Sequence, residues 1–146
     1  SAPVAAASCE TWREGRALKL EDGNDGALLA VGRMVDVARD VARNAAGHGI
    51  DLAVWDMRWV KPIDEDAVRE AARTGRIFTL EDGVVTGGFG SGVLEQLAEM
   101  GVACPVTRFG IPDAFVTQGP TDRLFEELGL DAAGIAAAVI AACRER

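Results

Sequence analysis

Aromatic side chains and histidine are scarce in this chain of 146 residues, which has no Tyr, a single His and only 5% aromatic residues. The core must therefore be built from Ala, Val, Leu and Ile, within a hydrophobic fraction of 49%. The three cysteines, Cys9, Cys104 and Cys143, are odd in number and far apart, which fits neither a zinc motif nor a disulfide framework. We expect them to be reduced thiols in a cytoplasmic protein.

Positive charge and long apolar runs are also lacking. The chain has 15 Lys and Arg against 23 Asp and Glu, which gives a formal net charge of −8. A surface of this sign repels phosphate backbones and anionic lipids, so we expect no nucleic acid and no membrane among the partners. No stretch is apolar over the length that spans a bilayer, and residues 1–8 lack the basic start and bulky apolar run of a signal peptide.

The length matches one ordinary domain, which can fold without metal or disulfide support. Residues 1–15 are rich in small side chains, so we interpret them as a linker or an expression remnant, and residues 16–146 as the folded domain. Because the chain does not begin with Met, we expect it to be a fragment of a longer protein.

Hydrophobic periodicity predicts strands and helices in alternation. The predicted strands cover 16–20, 27–31, 50–55, 76–80 and 102–109, and the predicted helices begin near 34, 64, 92, 122 and 131. Because parallel strands need helical crossovers, this order predicts an α/β fold: a three-layer open sheet of about five strands, mostly parallel, with helices on both faces. The turn residues at 22–26 join the first two strands closely, which predicts a hairpin and one antiparallel edge strand.

A glycine-rich segment, GGFGSG at 87–92, is the most conspicuous candidate site. It follows a predicted strand and runs into a helix, where backbone N–H groups can bind an anion. It does not match the dinucleotide register, and Val93 stands where a phosphate-binding loop needs Lys. We favour the alternative, which is close packing of loop against helix that only glycine permits. The possible ligand loop comprises Gly87, Gly88, Gly90 and Ser91.

Glu81 and Asp82 belong to the same candidate ligand site, because they end the preceding strand at the edge where open α/β sheets bind ligands. Two neighbouring acids could perform acid–base chemistry if burial separated their pKa values. The sequence Glu-Asp-Gly is more typical of a solvated turn, which we favour.

Three other patterns give weaker candidates. Asp22-Gly23-Asn24 has the residue types of a metal–diphosphate element, but its place between two short strands favours a hairpin turn. His48 lies at a predicted helix end, where a cation meets the negative end of the helix dipole, and we identify no partner for a general base. Ser91 lacks the outer glycines of a nucleophile elbow. We therefore assign no catalytic, cofactor-binding or metal-binding residue.

Three residues are candidates for an interface. Trp59 follows a predicted strand, and Pro112 and Phe115 lie in a long irregular segment. Large aromatics dominate interfaces, and loops of this length often pack against a partner. Docking onto another domain or subunit and burial in an ordinary core stay equally open.

Four ordered stretches carry a family resemblance. DMRWVKPID at 56–64, and LEDG at 80–83 with GGFGSGV at 87–93, resemble the C-terminal domains of transketolase-type enzymes. GIPDAFVTQG at 110–119 and LGLDAAGI at 128–135 are similar to stretches of the 1-deoxy-D-xylulose-5-phosphate synthase family within that group. Asp82 departs from the pattern, since the family often has a second Glu there.

The resemblance implies a parent enzyme that uses thiamine diphosphate and Mg²⁺ to condense pyruvate with glyceraldehyde 3-phosphate, with loss of CO₂, in isoprenoid precursor synthesis. It implies a homodimer in which the preceding domains hold the cofactor, the metal and the substrate phosphate. The diphosphate–metal motif and the catalytic His and Glu of those domains have no counterpart here. No cofactor is therefore expected on this fragment.

Three functions stay open at this point. The first is a structural, dimer-forming domain of that synthase, inactive on its own. The second is a small-anion or regulatory ligand module that uses the glycine-rich segment. The third is a protein-docking domain, as the homologous domain of 2-oxoacid dehydrogenase β-subunits implies.

Overall fold

The computed structural model describes residues 13–113 and 121–145. Strands and helices alternate there as the periodicity predicts, which confirms the α/β class. The elements are β1 (Leu18–Glu21), β2 (Gly26–Ala30), α1 (Met34–Ala46), β3 (Leu52–Asp56), α2 (Glu65–Ala72), β4 (Ile77–Val84), α3 (Phe89–Met100), β5 (Val106–Ile111), α4 (Thr121–Glu127) and α5 (Ala132–Arg144).

The strands form one five-stranded sheet in the order β1-β3-β2-β4-β5. Strands β2, β3, β4 and β5 run parallel to one another, and β1 pairs antiparallel with β3 at one edge. A mostly parallel sheet with one antiparallel edge strand is therefore confirmed. Since the four parallel strands point the same way, their carboxyl ends meet at a single edge of the sheet, which we call the carboxyl edge.

The predicted hairpin between the first two strands is wrong, because β3 lies between β1 and β2. All five residues of β2 are buried, as suits a central strand with two neighbours, whereas β1 is only partly buried. The turn crosses the amino end of β3 so closely that a Cβ on Gly23 would lie 2.2 Å from the carbonyl carbon of Leu52. Glycine there permits the crossing.

Two cores cover the opposite faces of the sheet. In β2, Leu28 and Ala30 belong to one core, and Ala27 and Leu29 belong to the other, as the two-residue period of a strand requires. The first core is completed by α1, α4 and α5, and the second by α2 and α3. The helices thus cover both faces of the sheet, which gives the three-layer arrangement.

Helix α3 begins at Phe89, inside the segment that we predicted as a loop. It buries Phe89, Val93 and Leu97 at four-residue spacing. Leu94 and Ala98 share the same four-residue spacing with each other but are exposed. No helix within the described ranges is both long and apolar enough to span a membrane.

Asp64 caps α2 and ties this helix to Ala17, the residue directly before the edge strand β1. One carboxylate oxygen accepts the N–H of Ala67 at 3.1 Å, and the other accepts the N–H of Ala17 at 2.8 Å. The side chain is only 4% exposed. Both amides would lose their acceptor if this carboxylate were removed.

We predict that Asp64→Ala lowers the free energy of unfolding by about 2 kcal/mol, because it removes a helix cap and leaves the Ala17 amide without its acceptor. Asp131→Ala is the matched control, since Asp131 caps α5 through the Gly134 amide alone, and it should cost only about 1 kcal/mol. Urea unfolding measures both. Equal losses for the two variants would contradict the second role of Asp64.

Candidate functional site

Glu81 lies at the carboxyl edge and is buried, with 4% of its surface exposed. The favoured interpretation of Glu81-Asp82 as a solvated turn is therefore wrong for Glu81, although Asp82 is exposed. The physical reason is that β4 does not end at Leu80, as predicted, but continues to Val84, which pairs with Ile111 after a register shift. Glu81 is thus a strand residue beneath α3.

Both carboxylate oxygens of Glu81 accept backbone N–H groups from the first turn of α3. Phe89 N lies 3.0 Å from Oε1 and Gly90 N lies 2.8 Å from Oε2. The first amides of a helix have no partner within the helix and carry partial positive charge, so a carboxylate is well suited to bind them. The residue before the helix, Gly88, has no side chain that could do so. Glu81, which lies on the neighbouring strand β4, binds these amides instead.

The glycines of the segment allow this close contact. A Cβ on Gly88 would lie 2.0 Å from Glu81 Oε1, and a Cβ on Gly90 would lie 2.5 Å from Thr79 Oγ1. Gly87 instead has a φ of 71°, in the left-handed region that favours glycine. Packing of α3 against β4 and the backbone turn before it thus explain three of these glycines.

Ser91 and Arg108 extend the contact to β5. The Ser91 hydroxyl donates to the Val85 carbonyl oxygen at 3.1 Å and accepts from Arg108 Nη1 at 2.9 Å. Thr79, opposite Arg108 in the sheet, is fully buried, and its hydroxyl has no hydrogen-bond partner among the described residues. We call Glu81, Ser91 and Arg108 the α3 clamp.

The α3 clamp limits what the predicted ligand loop could bind. An external anion at this helix start would compete with Glu81 for the amides of Phe89 and Gly90. An anion would also meet the negative charge of Glu81 itself. Binding of an anion by this segment stays a prediction.

Asp56 and Arg58 form a charged pair at the carboxyl edge that residue types alone did not indicate. Asp56 Oδ1 accepts a hydrogen bond from the backbone N–H of Arg58 at 3.1 Å, and Asp56 Oδ2 lies 4.0 Å from the side-chain Nε of Arg58. Burial raises the pKa of Asp56, and the N–H and the charge of Arg58 only partly oppose this. Arg58 has a φ of 59°, in the left-handed region that is unusual for a side chain of this size.

The weaker candidates lie away from this edge. Asn24 lines a cavity of about 370 Å³ at the opposite edge of the sheet, together with Arg76 and Cys143. His48 is exposed just after the end of α1, and its backbone N–H donates to the Ala45 carbonyl oxygen. Cys104 and Cys143 are free, and burial raises the pKa of both thiols, which disfavours the reactive thiolate. Cys9 lies outside the described residues.

Two of the three predicted interface residues can be placed. Trp59 is partly buried in the segment after β3, and Pro112 is exposed directly after β5, so both belong to the carboxyl edge. Phe115 lies outside the described residues. Their role in an interface stays a prediction.

Within residues 13–113 and 121–145, no group of three or more His, Cys, Asp or Glu side chains is placed to hold a metal ion. Two of the acids at the carboxyl edge are bound to the protein itself, Glu81 to helix amides and Asp56 to Arg58. The described residues therefore do not fit a metal-bound diphosphate cofactor.

We predict that Glu81→Gln lowers the free energy of unfolding by about 2 kcal/mol, because an amide NH₂ would face one of the two helix N–H donors. Asp82→Asn is the control, since this neighbour is exposed and should change stability by no more than about 0.5 kcal/mol. Urea unfolding gives the energies, and faster hydrogen exchange at Phe89 and Gly90 would locate the effect. A Gln variant as stable as the parent would disprove the clamp's contribution.

We predict that Asp56→Asn becomes increasingly favourable, relative to the parent chain, as the pH rises. The folded-state pKa of Asp56 lies above its ordinary value, so the parent loses stability as the pH rises from about 4 through that folded value. Asn has no such titration and can still accept the Arg58 N–H. Urea unfolding at several pH values, with Asp82→Asn as control, measures the difference. A constant difference between the variant and the parent would contradict the burial effect.

Comparison with known proteins places the fold in a family. A family model described as the transketolase C-terminal domain matches residues 15–135. The 1-deoxy-D-xylulose-5-phosphate synthase of Syntrophotalea carbinolica is 44% identical over 133 residues, which are 90% of this chain and 21% of that protein. Synthase 1 of Geobacter metallireducens is 46% identical over 134 residues, again 90% of this chain and 21% of the relative. This chain spans about a fifth of their length.

Solved structures agree with this similarity. A structure described as a split gene transketolase, an inactive β4 tetramer, superposes with a TM-score of 0.83 at 36% identity, over 90% of this chain and 43% of that one. Transketolase from Campylobacter jejuni shares the fold, with a TM-score of 0.61 at 20% identity over 87% of this chain and 18% of that one. The chain belongs to the transketolase C-terminal domain family.

Proposed function

We propose that this chain is the C-terminal domain of a 1-deoxy-D-xylulose-5-phosphate synthase and that it serves assembly rather than catalysis. The assignment to this enzyme rests on identities of 44% and 46% to two such synthases over 90% of the chain. The assembly role rests on one geometric observation: Glu81, the buried acid at the carboxyl edge, uses both oxygens to hold α3.

The parent enzyme would condense pyruvate with glyceraldehyde 3-phosphate and release CO₂, using thiamine diphosphate and Mg²⁺. The cofactor would supply the carbanion chemistry, while protein groups orient it and its substrates. The described residues offer no cluster of three side chains that could hold the Mg²⁺ ion bound to its diphosphate. We therefore assign the cofactor, the metal and the reacting groups to the other domains of the parent.

The contribution of this chain would be a rigid body of fixed shape. The α3 clamp fastens one helix to two strands, and Asp64 fastens α2 to the edge strand. Such restraints keep surface groups in constant positions, which an assembly surface needs. The partners that we propose are the preceding domains of the same enzyme and a second subunit of it.

The test is a chimera in which this chain replaces the 133 matched residues of the Syntrophotalea carbinolica synthase. We expect the chimera to form deoxyxylulose phosphate from pyruvate and glyceraldehyde 3-phosphate. The control is the same synthase without those 133 residues, which we expect to form no product. The chain alone should give no decarboxylation of pyruvate and no heat when titrated with thiamine diphosphate and Mg²⁺. Micromolar cofactor binding by the chain alone would refute the assembly role, and a folded but inactive chimera would refute the synthase assignment.

A further inference from the structure

Three large apolar side chains are conspicuously exposed on the described part of the chain: Val60 at 45%, Val84 at 43% and Leu94 at 39%. Single exposed apolar residues are ordinary, but several in one area indicate a contact surface. Val60 follows β3, Val84 ends β4, and Leu94 lies in the second turn of α3. We call these three residues the α3 patch.

The start of α3 connects the members of the α3 patch. On one side, the Ser91 hydroxyl binds the carbonyl oxygen of Val85, the residue after Val84. On the other side, a Cβ on Gly92 would lie 2.7 Å from Ile63 Cδ1, so the helix touches the segment that contains Val60. The three apolar residues therefore lie on segments that meet at the start of α3.

The α3 patch is held in place from below. Glu81 binds the first turn of α3, and Arg108 reaches Ser91 from the neighbouring strand. An apolar surface whose backbone is already fixed loses little conformational entropy when a partner covers it. This favours a lasting contact with another folded surface over an adaptable one.

The course of the chain indicates which surface that is. Gly15 lies against Pro62, since its Cβ would be 2.9 Å from Pro62 Cγ. The beginning of the described chain thus lies beside the segment that contains Val60. The curated relatives are about five times as long as the part that this chain matches, so their remaining length is available to cover such a surface.

We propose that the α3 patch is the docking surface for the domain that directly precedes this one in the parent synthase, and that the docked surface of that domain is apolar. This rests on the proposed function, since it needs the parent enzyme. Trp59 and Pro112 lie at the same edge and extend the contact. Interfaces between domains of one chain bury on the order of 600–1,500 Å², more than the three side chains supply alone.

The experiment uses the chimera and places a charge in the contact through the double variant Val84→Asp/Leu94→Asp. The control is Ala137→Asp, which puts the same side chain on an exposed position of α5, on the other face of the sheet. We expect the double variant to lower the synthase activity of the chimera at least tenfold and the control to leave it unchanged. Equal activity of all three proteins overturns the proposal.

Two further measurements separate a lost contact from a lost fold. Urea unfolding of the isolated chain should be unchanged by the double variant, because both positions are exposed; if it is not, Val84→Ser/Leu94→Gln replaces it. Hydroxyl-radical footprinting should show Val84 and Leu94 oxidised several-fold more slowly in the chimera than in the isolated chain. Equal oxidation rates overturn the docking surface even when the chimera is active, which leaves the proposed function standing.

Two outcomes concern the occupant and the parent. If the isolated chain forms a dimer that the double variant dissociates, the α3 patch joins two copies and the preceding domain is the wrong occupant. If the unmodified chimera folds but is inactive, the synthase assignment fails, and the docking proposal fails with it. The footprint separates this case from a misplaced surface in an active enzyme.

Discussion

The carboxylate of Glu81 between β4 and α3 is the interaction on which the carboxyl edge depends. Charged acceptors make stronger hydrogen bonds to backbone amides than neutral ones, and here a single buried side chain satisfies two amides of a helix start. The close approach excludes a Cβ at Gly88, and the adjacent packing excludes one at Gly90. The position of α3, and with it the surface that α3 presents, follows from this contact.

Sheet order is the main part of the fold that local sequence rules misjudge. A tight turn between two short strands predicts a hairpin, because the rule considers only the turn and its flanks. The burial of all of β2 and the partial burial of β1 distinguish a central strand from an edge strand. A continuous apolar run does indicate a strand that is covered on both faces of the sheet. The alternation of elements was enough for the fold class, because periodicity is a local property that tertiary contacts here do not override.

The position of the glycine-rich segment was predictable from the sequence, but the contacts of Glu81 and Asp56 were not. Its place after a strand, and the packing role of glycines, follow from residue types alone. The burial of Glu81 does not, because Glu-Asp-Gly is typical of a turn and only the pairing of Val84 with Ile111 prolongs the strand. The pair of Asp56 and Arg58 depends on a left-handed backbone at Arg58, which no residue-type preference predicts for arginine.

The distribution of polar and apolar groups at the carboxyl edge argues for the surface rather than for a pocket. An enzyme site needs polar groups that are positioned yet available to a substrate. Here several polar side chains at the edge are engaged by the protein itself: the buried Glu81 holds helix amides, the exposed Arg108 holds Ser91, and the partly buried Asp56 holds Arg58. The exposed groups between them include large apolar side chains, and burial of apolar surface is what stabilises contacts between domains. This distribution supports the proposed assembly role, in which the domain covers its neighbour and its own polar groups keep that surface in shape.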